Sequence, residues 1–154
     1  MSVAYINIGS NMGNRKAFIE LAVAHIEQLC GTKALRSDYF ESQPWGYKSD
    51  ATFLNLGIAV ENPYSELELL LGLQDIERGI SCAPHRDESG GYIDRCLDID
   101  IIAIDSLVVD VPGLTLPHPR MHLRDFVLVP MMQIAPGWKH PIFGLTPGQM
   151  LEKL

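Results

Sequence analysis

The sequence predicts an α+β fold of the ferredoxin-like kind, a mainly antiparallel sheet with helices packed on one of its faces. Two observations support this prediction. Strand-like and helix-like segments follow one another in the order β-α-β-β-α-β, and the segment 53–60 is apolar on both sides of the chain, as a central strand is. The 154 residues are predicted to form a single domain, 1–154, large enough to bury roughly 70% of its unfolded surface.

Each element has a local reason. The segment 3–9 is strand-like and leads into a turn of small residues. Apolar residues at helical spacing then predict a helix over 15–30, which Gly31 ends. Residues 65–68 read Ser-Glu-Leu-Glu, a capping box that opens a second helix running to about residue 78. The other predicted elements are strands over 34–41, 53–60, 97–104 and 107–109, a helical stretch around 126–134 interrupted by Pro130, and a last helix capped by 146–149.

Composition excludes several classes of function. The net charge of −7 argues against general binding to nucleic acids or membrane surfaces. Three scattered cysteines, without Cys-x-x-Cys spacing, disfavour a disulfide framework and a zinc site. The sequence also lacks a signal-peptide pattern and an apolar run of membrane-spanning length, so we expect the chain in the reducing cytoplasm.

The motif that points to chemistry is Arg95-Cys96-Leu97-Asp98-Ile99-Asp100. A strand places Asp98 and Asp100 on one face, about 6–7 Å apart, among apolar residues that are expected to exclude water. Two carboxylates in a dry site repel each other unless a cation compensates them. Mg²⁺ suits them because it is commonly held by one or two carboxylates together with substrate phosphates. A structural ion pair with Arg95 explains the motif equally well at this stage.

Other polar residues have two readings each. His118 lies between two prolines and either holds its ring in a site or simply caps a turn. Arg120 and Arg124 matter for function only if they face the two aspartates. Asn55 interrupts an apolar strand, where its amide binds a polar ligand or neighbouring backbone. Aromatic residues that line either a flat-ring pocket or the core are Trp45, Phe53 and Phe126.

Taken together, the ordered motifs resemble the 6-hydroxymethyl-7,8-dihydropterin pyrophosphokinase family, and the resemblance covers nearly the whole chain. The blocks that carry it are Ala4-Tyr5-Ile6-Asn7-Ile8-Gly9-Ser10-Asn11, Ser42-Gln43-Pro44-Trp45-Gly46, Phe53-Leu54-Asn55, Leu73-Gln74-Asp75-Ile76-Glu77, Arg95-Cys96-Leu97-Asp98-Ile99-Asp100-Ile101, Leu114-Thr115-Leu116-Pro117-His118-Pro119-Arg120-Met121 and Arg124-Asp125-Phe126-Val127-Leu128-Val129-Pro130.

The resemblance implies transfer of pyrophosphate from ATP to the hydroxymethyl group of a reduced pterin, with release of AMP. It implies two Mg²⁺ ions on Asp98 and Asp100, small-molecule substrates, no nucleic-acid or membrane partner, and a monomer, with a dimer possible. The catalytic residues it implies are Arg95, Asp98 and Asp100, to which we add Arg86 as a candidate from the loop that departs from the family. The implied ATP-binding residues are Gln74, Glu77, Arg95, Thr115, His118 and Arg124. The implied pterin-binding residues are Ser42, Pro44, Trp45, Phe53, Asn55 and Phe126.

The chain departs from the family in the loop before the aspartates. Residues 79–94 lack periodicity and suggest a lid, but the several arginines and the Trp-Gly-Pro-Arg lead-in usual in the family are missing. Gly113 also replaces a basic residue that some members carry. We therefore expect a weaker grip on phosphate, with Arg86 as the best substitute. Two alternatives stay open: a pterin- or nucleotide-binding protein without activity, and a metal-dependent phosphohydrolase.

Overall fold

The computed structural model describes residues 1–43, 52–80 and 96–154. In order, the elements are β1 (Ser2–Ser10), α1 (Arg15–Cys30), β2 (Leu35–Arg36), β3 (Phe40–Ser42), β4 (Phe53–Asn62), α2 (Glu66–Ile80), β5 (Asp98–Ile104), β6 (Val109–Val111), β7 (Leu114–Leu116), a 3₁₀ turn (Met121–Leu123), α3 (Asp125–Ile134) and α4 (Pro147–Glu152).

The main sheet has the strand order β2-β4-β1-β5. Strands β2 and β3 pair one after the other with the same edge of β4. All pairings between these strands are antiparallel. The α+β class with a mainly antiparallel sheet is thereby confirmed.

The helices lie on both faces of the sheet, so the prediction that they share one face is wrong. Ala4, Ile6 and Ile8 of β1 join a core with α1 and α2. The alternate residue Tyr5 belongs to a second core, with α3 and α4, on the opposite face. The physical reason is that central strands apolar on both sides need a cover on both sides.

Four other differences are local. The predicted strand 34–41 is divided into β2 and β3, and the predicted return strand 107–109 is replaced by β6, which pairs with β7 rather than with β5. Gly113, at φ +88°, lies in the tight turn of this small hairpin. Pro130 lies inside α3 without interrupting it. In α1, the predicted core positions Leu21 and His25 are exposed.

The ends of the helices follow ordinary capping rules. The Asn14 side chain accepts a hydrogen bond from the Ala17 amide at the start of α1, and Gly31 ends that helix with φ +75°. Thr146 and Gln149 form a reciprocal capping box on α4. Within the described ranges, none of the helices has the length and hydropathy needed to cross a membrane.

Candidate active site

Two rows of residues cross the sheet and define one polar surface on the face that α3 covers. The first row joins Asp98 of β5, Gly9 of β1 and Asn55 of β4. The second row joins Asp100, Asn7 and Gly57 on the same strands. Directly paired residues in antiparallel strands project to the same face. The two carboxylates and the two amides therefore share one surface, as the sequence spacing predicted for the aspartates.

Gly9 lies between the carboxylate side and the amide side of this surface. A Cβ atom at this position would lie 3.1 Å from Asn55 Oδ1 and 3.4 Å from a ring carbon of Phe53. Asn55 and Phe53 thus approach β1 so closely that a side chain at position 9 would crowd them.

The carboxylate pair is more exposed to solvent than the sequence suggested. Asp98 is partly buried, but Asp100 is exposed, so the expectation of a dry site is wrong for Asp100. The burial of β5 begins only at Ile101, since the first three residues reach beyond the core towards the open end of the strand. Partly hydrated carboxylates on one face suit a hard cation that keeps some of its water or takes phosphate oxygens as ligands.

Arg124 supplies positive charge to the carboxylates. It is the N-cap residue of α3, with extended backbone, and its guanidinium carbon lies 5.5 Å from the centre of the Phe126 ring. The pKa of the Arg124 guanidinium is lowered, mainly by burial. The carboxylates of Asp100 and Asp98 oppose this shift, and the positive charge of Arg120 adds to it. An arginine remains charged throughout the physiological range even so. The structure thus brings Arg124 and both aspartates into one electrostatic group.

His118 joins this group as a neutral imidazole. Its backbone amide donates to the Ile102 carbonyl over 2.8 Å, and its Nδ1 accepts a hydrogen bond from the Arg120 amide over 3.1 Å. Burial, followed by the charges of Arg124 and Arg120, lowers the pKa of His118 to about 4. Since Nδ1 is an acceptor, the proton of the neutral ring resides on Nε2, which can donate to an anionic ligand.

The amide side is built on Asn55, which is 2% exposed. Its Nδ2 donates to the Phe40 carbonyl over 3.1 Å and to Ser42 Oγ over 2.8 Å. These bonds fix the side chain beside Phe53, which pairs with Ser42 across β3 and β4. Phe126 packs from α3 into the core on the same sheet face. Four of the six residues predicted for the pterin are therefore on one side of the sheet.

The residues predicted for the nucleotide are less uniform. Glu77 Oε2 accepts a hydrogen bond from the Ile99 amide over 2.9 Å, which ties the last turn of α2 to the strand of the aspartates. Gln74 on α2 and Thr115 on β7 are exposed. Both elements pack against β5, the strand that carries the two aspartates.

Four predicted residues lie outside the described residues: Pro44, Trp45, Arg86 and Arg95. The lid prediction for 79–94 is wrong for Gly79 and Ile80, which belong to α2. For 81–94 it stays a prediction, as does the ion pair of Arg95 with the aspartates. In the other direction, the sequence reasoning overlooked Asn7, a buried polar residue in register with Asp100. The signal that drew attention to Asn55, an amide inside an apolar strand, was equally present at Asn7.

Comparisons with known proteins agree with this geometry. The family described as 7,8-dihydro-6-hydroxymethylpterin-pyrophosphokinase (HPPK) matches residues 5–136. The 2-amino-4-hydroxy-6-hydroxymethyldihydropteridine pyrophosphokinase of Porphyromonas gingivalis is 36% identical over 143 residues, covering 92% of this chain and 95% of the relative. The enzyme of the same name from Bacillus subtilis is 33% identical over 135 residues, 87% of this chain and 78% of the relative.

Longer proteins contain a similar unit. The folic acid synthesis protein fol1 of Pneumocystis carinii is 33% identical over 151 residues, which are 97% of this chain but 20% of that protein. A solved structure, an HPPK-DHPS in complex with substrates, has a TM-score of 0.72 at 14% identity and covers 99% of this chain and 42% of that one. At this identity the structure supports the fold alone. The family match and the bacterial relatives show that the chain belongs to the 7,8-dihydro-6-hydroxymethylpterin-pyrophosphokinase family.

Proposed function

We propose that this chain transfers the pyrophosphoryl group of ATP to the hydroxymethyl oxygen of 6-hydroxymethyl-7,8-dihydropterin in folate biosynthesis. A bond forms between that oxygen and the β-phosphorus, the bond from the β-phosphorus to the bridging α-β oxygen breaks, AMP leaves, and the hydroxyl proton is released to solvent. The observation that carries the proposal is the row Asp98-Gly9-Asn55, in which a carboxylate and a fixed amide project from one sheet face on either side of a glycine. Family membership supports the same reaction.

The carboxylate pair fits Mg²⁺, with two ions expected. Asp98 and Asp100 would hold the metal, and the exposure of Asp100 leaves room for water and phosphate ligands. When bound, the ions would neutralise phosphate charge and hold the polyphosphate in line for displacement.

Arg124 and His118 are proposed to bind the polyphosphate. Arg124 brings a permanent positive charge close to both aspartates. His118 brings a neutral Nε2–H donor, which costs less to bury than a charged ring. We assign Glu77, Gln74 and Thr115 to the nucleotide side, where Glu77 also holds β5 in place.

The amide side is proposed to bind the pterin. Asn55 is held by Ser42 and the Phe40 carbonyl, so its remaining acceptor has a fixed direction, as recognition of a polar heterocycle requires. Phe53 and Phe126 would border the flat ring from the two sides that β4 and α3 provide. By resemblance, Pro44 and Trp45 would complete this pocket.

By the same resemblance, we assign Arg95 to the phosphates, and we assign Arg86 to them as the substitute for the arginines that the family usually carries in this loop. Closure of the segment 81–94 over the site would exclude water and favour transfer over hydrolysis. We also propose that the enzyme acts in the cytoplasm on these two small molecules, as a monomer or a dimer. The buried free thiol of Cys30 is compatible with a reducing compartment.

The experiment that tests the function measures AMP formation from ATP and Mg²⁺, with and without 6-hydroxymethyl-7,8-dihydropterin. We expect AMP to appear only with the pterin and in equal amount to the pterin pyrophosphate. Binding of both ligands without AMP would replace the proposal by a binding protein. Phosphate release without pterin would replace it by a phosphohydrolase.

A further inference from the structure

One buried polar side chain on the site face has no part in the proposed chemistry. Asn7 lies in the middle of β1, is 6% exposed, and is paired with Asp100 on one side and Gly57 on the other. Its Nδ2 donates a hydrogen bond over 2.9 Å to the backbone carbonyl of Phe126, in the first turn of α3. A strand side chain thus bonds a helix backbone group that is normally bonded within the helix.

The sequence of α3 explains why this carbonyl is available. In an α-helix the carbonyl of residue 126 accepts from the amide of residue 130. Residue 130 is a proline, which has no N–H and whose ring crowds the carbonyl four residues earlier. A buried carbonyl without a donor is costly. The amide of Asn7 replaces the donor that Pro130 lacks.

The neighbouring strand β4 has a glycine where Pro130 approaches it. Gly57 is paired with Asn7, and a Cβ atom on Gly57 would lie only 2.8 Å from Cβ of Pro130. The helix therefore lies directly against the sheet at Pro130, and it is hydrogen-bonded to the sheet one turn earlier, at Phe126. These two contacts, one helical turn apart, fix the distance of the beginning of α3 from the sheet and its rotation about the helix axis.

The beginning of α3 carries functional residues. Arg124 is its N-cap, and Phe126 is its second residue. Asn7, which holds this turn, is also the direct cross-strand neighbour of Asp100. Building on the proposed function, we propose that Asn7 is a positioning residue, which sets Arg124 and Phe126 against the carboxylate pair by supplying the hydrogen bond that Pro130 removes.

The first test compares Asn7→Ala with Asn62→Ala. Asn62 is 1% exposed, donates to the Tyr64 carbonyl over 2.9 Å, and lies at the opposite end of the same strand pair, across from Ser2. At a temperature where circular dichroism shows both variants folded, we expect Asn7→Ala to lower kcat and kcat/KM about tenfold or more, whereas Asn62→Ala keeps both near wild type. If Asn7→Ala fails to fold, Asn7→Leu keeps the volume without the donor.

The second test is a rescue. Pro130→Ala returns an amide to position 130, so the Phe126 carbonyl regains a donor within the helix. We expect kcat of the double variant Asn7→Ala/Pro130→Ala to be at least three times that of Asn7→Ala. We also expect its urea midpoint to lie above the value that the two single variants predict by addition.

The outcomes separate the two proposals. A wild-type chain that forms no pterin-dependent AMP overturns the proposed function and the positioning role with it. An active wild type with Asn7→Ala equal to wild type or to Asn62→Ala overturns the positioning role alone, as does strict additivity of the Asn7 and Pro130 changes in both kcat and the urea midpoint.

Discussion

Asp98 and Asp100 are separated by a single residue, yet one is partly buried and the other exposed. The difference suits a shared cation, because the inner carboxylate is held by the sheet while the outer one can adjust to the polyphosphate. His118 and Arg124 add a neutral donor and a permanent charge beside them. Asp98 and Asp100 are the proposed metal ligands, and His118 and Arg124 are the proposed hydrogen-bond donors to phosphate. Neither donor has to gain or lose a proton at neutral pH.

Replacing either aspartate by alanine is expected to abolish Mg²⁺-dependent AMP formation, a loss of at least about a thousandfold, because half of the metal-binding pair is removed. The far-ultraviolet circular dichroism spectrum should stay unchanged, since neither side chain belongs to a core. Glu152→Ala, which removes an exposed carboxylate on α4, is the control and should keep full activity. Full activity in either aspartate variant would contradict the metal site.

His118 predicts a pH dependence of folding. Its pKa is about 4 in the folded chain, against an ordinary 6.5, because burial and two arginines disfavour the charged ring. The unfolded chain therefore binds the proton more readily, and stability is lost as the pH falls from 6.5 towards 4. Relative to His118→Asn, the wild type should lose up to about 3 kcal/mol of unfolding free energy over this interval.

Urea unfolding of the two proteins at pH 7, 5.5 and 4.5 measures this loss. His140, whose pKa burial also lowers, is present in both proteins, so its contribution cancels in the comparison. Parallel pH curves for the two proteins would show that His118 is not responsible.

Helix α3 joins the site to the second core. Its apolar residues Val127, Leu128 and Met131 pack on the sheet, while its first turn presents Arg124 and Phe126. The close approach of α3 at Gly57 permits both the core packing and the presentation of Arg124 and Phe126. Pro130 can come this near to β4 because the strand has no side chain at that position.

We expect Gly57→Ala to destabilise the chain by about 1–3 kcal/mol, because the new methyl group would meet Pro130 and push α3 away from the sheet. The displacement should also raise KM for the pterin. Gly137→Ala is the matched control: within the described part of the chain its Cβ would meet nothing within 4 Å, and the smaller conformational freedom of alanine in the unfolded chain should stabilise by about 0.4–1 kcal/mol. Thermal unfolding and steady-state kinetics distinguish the two variants.

Local periodicity predicted the long elements well. The predicted helix over 15–30 coincides with α1, and α2 ends two residues after its expected end, because caps and apolar spacing are local signals. Short strands such as β2 depend on pairing with distant β4, which the local pattern does not encode. Pro130 was expected to interrupt α3, but Asn7, far away in sequence, offsets the loss of its amide.

For the candidate site, a resemblance based on several motifs went further than any single pattern. It identified the family correctly, and it named Asp98, Asp100, Arg124 and Asn55, which the fold gathers on one face. The segment 53–60, apolar on both sides, indicated that both sheet faces would be covered, but which helix covers which face depends on contacts between residues distant in sequence. Asn7 carried the same sequence signal as Asn55, but its role depends on α3, whose placement was unknown.

In the described part of the chain, the main sheet lies between two cores with different roles. The core with α1 and α2 includes Ile26, and the core with α3 and α4 includes Leu128, and both side chains are completely buried. The second core lies on the same sheet face as the carboxylates and amides. Stability should therefore depend on both cores, and substrate positioning mainly on one.

The two cores are compared by Ile26→Ala and Leu128→Ala. Each truncation of a fully buried aliphatic side chain should cost about 2–5 kcal/mol of unfolding free energy. Well below the unfolding transition, Leu128→Ala should raise KM for both substrates severalfold, whereas Ile26→Ala should keep wild-type KM values. Equal changes in KM for the two variants would mean that the site responds to overall stability instead.

Among the described strands, β5 lies at one edge of the main sheet, where its outer backbone groups bear on solubility. An edge strand offers unpaired backbone groups to other chains and is a common start of aggregation. On β5 the Ile99 amide is bonded by Glu77 and the Ile102 carbonyl is bonded by the His118 amide. The segments assigned to the nucleotide therefore also close the sheet against edge-to-edge association. Replacement of Glu77 should promote self-association of the chain in concentrated solution even in the absence of any ligand.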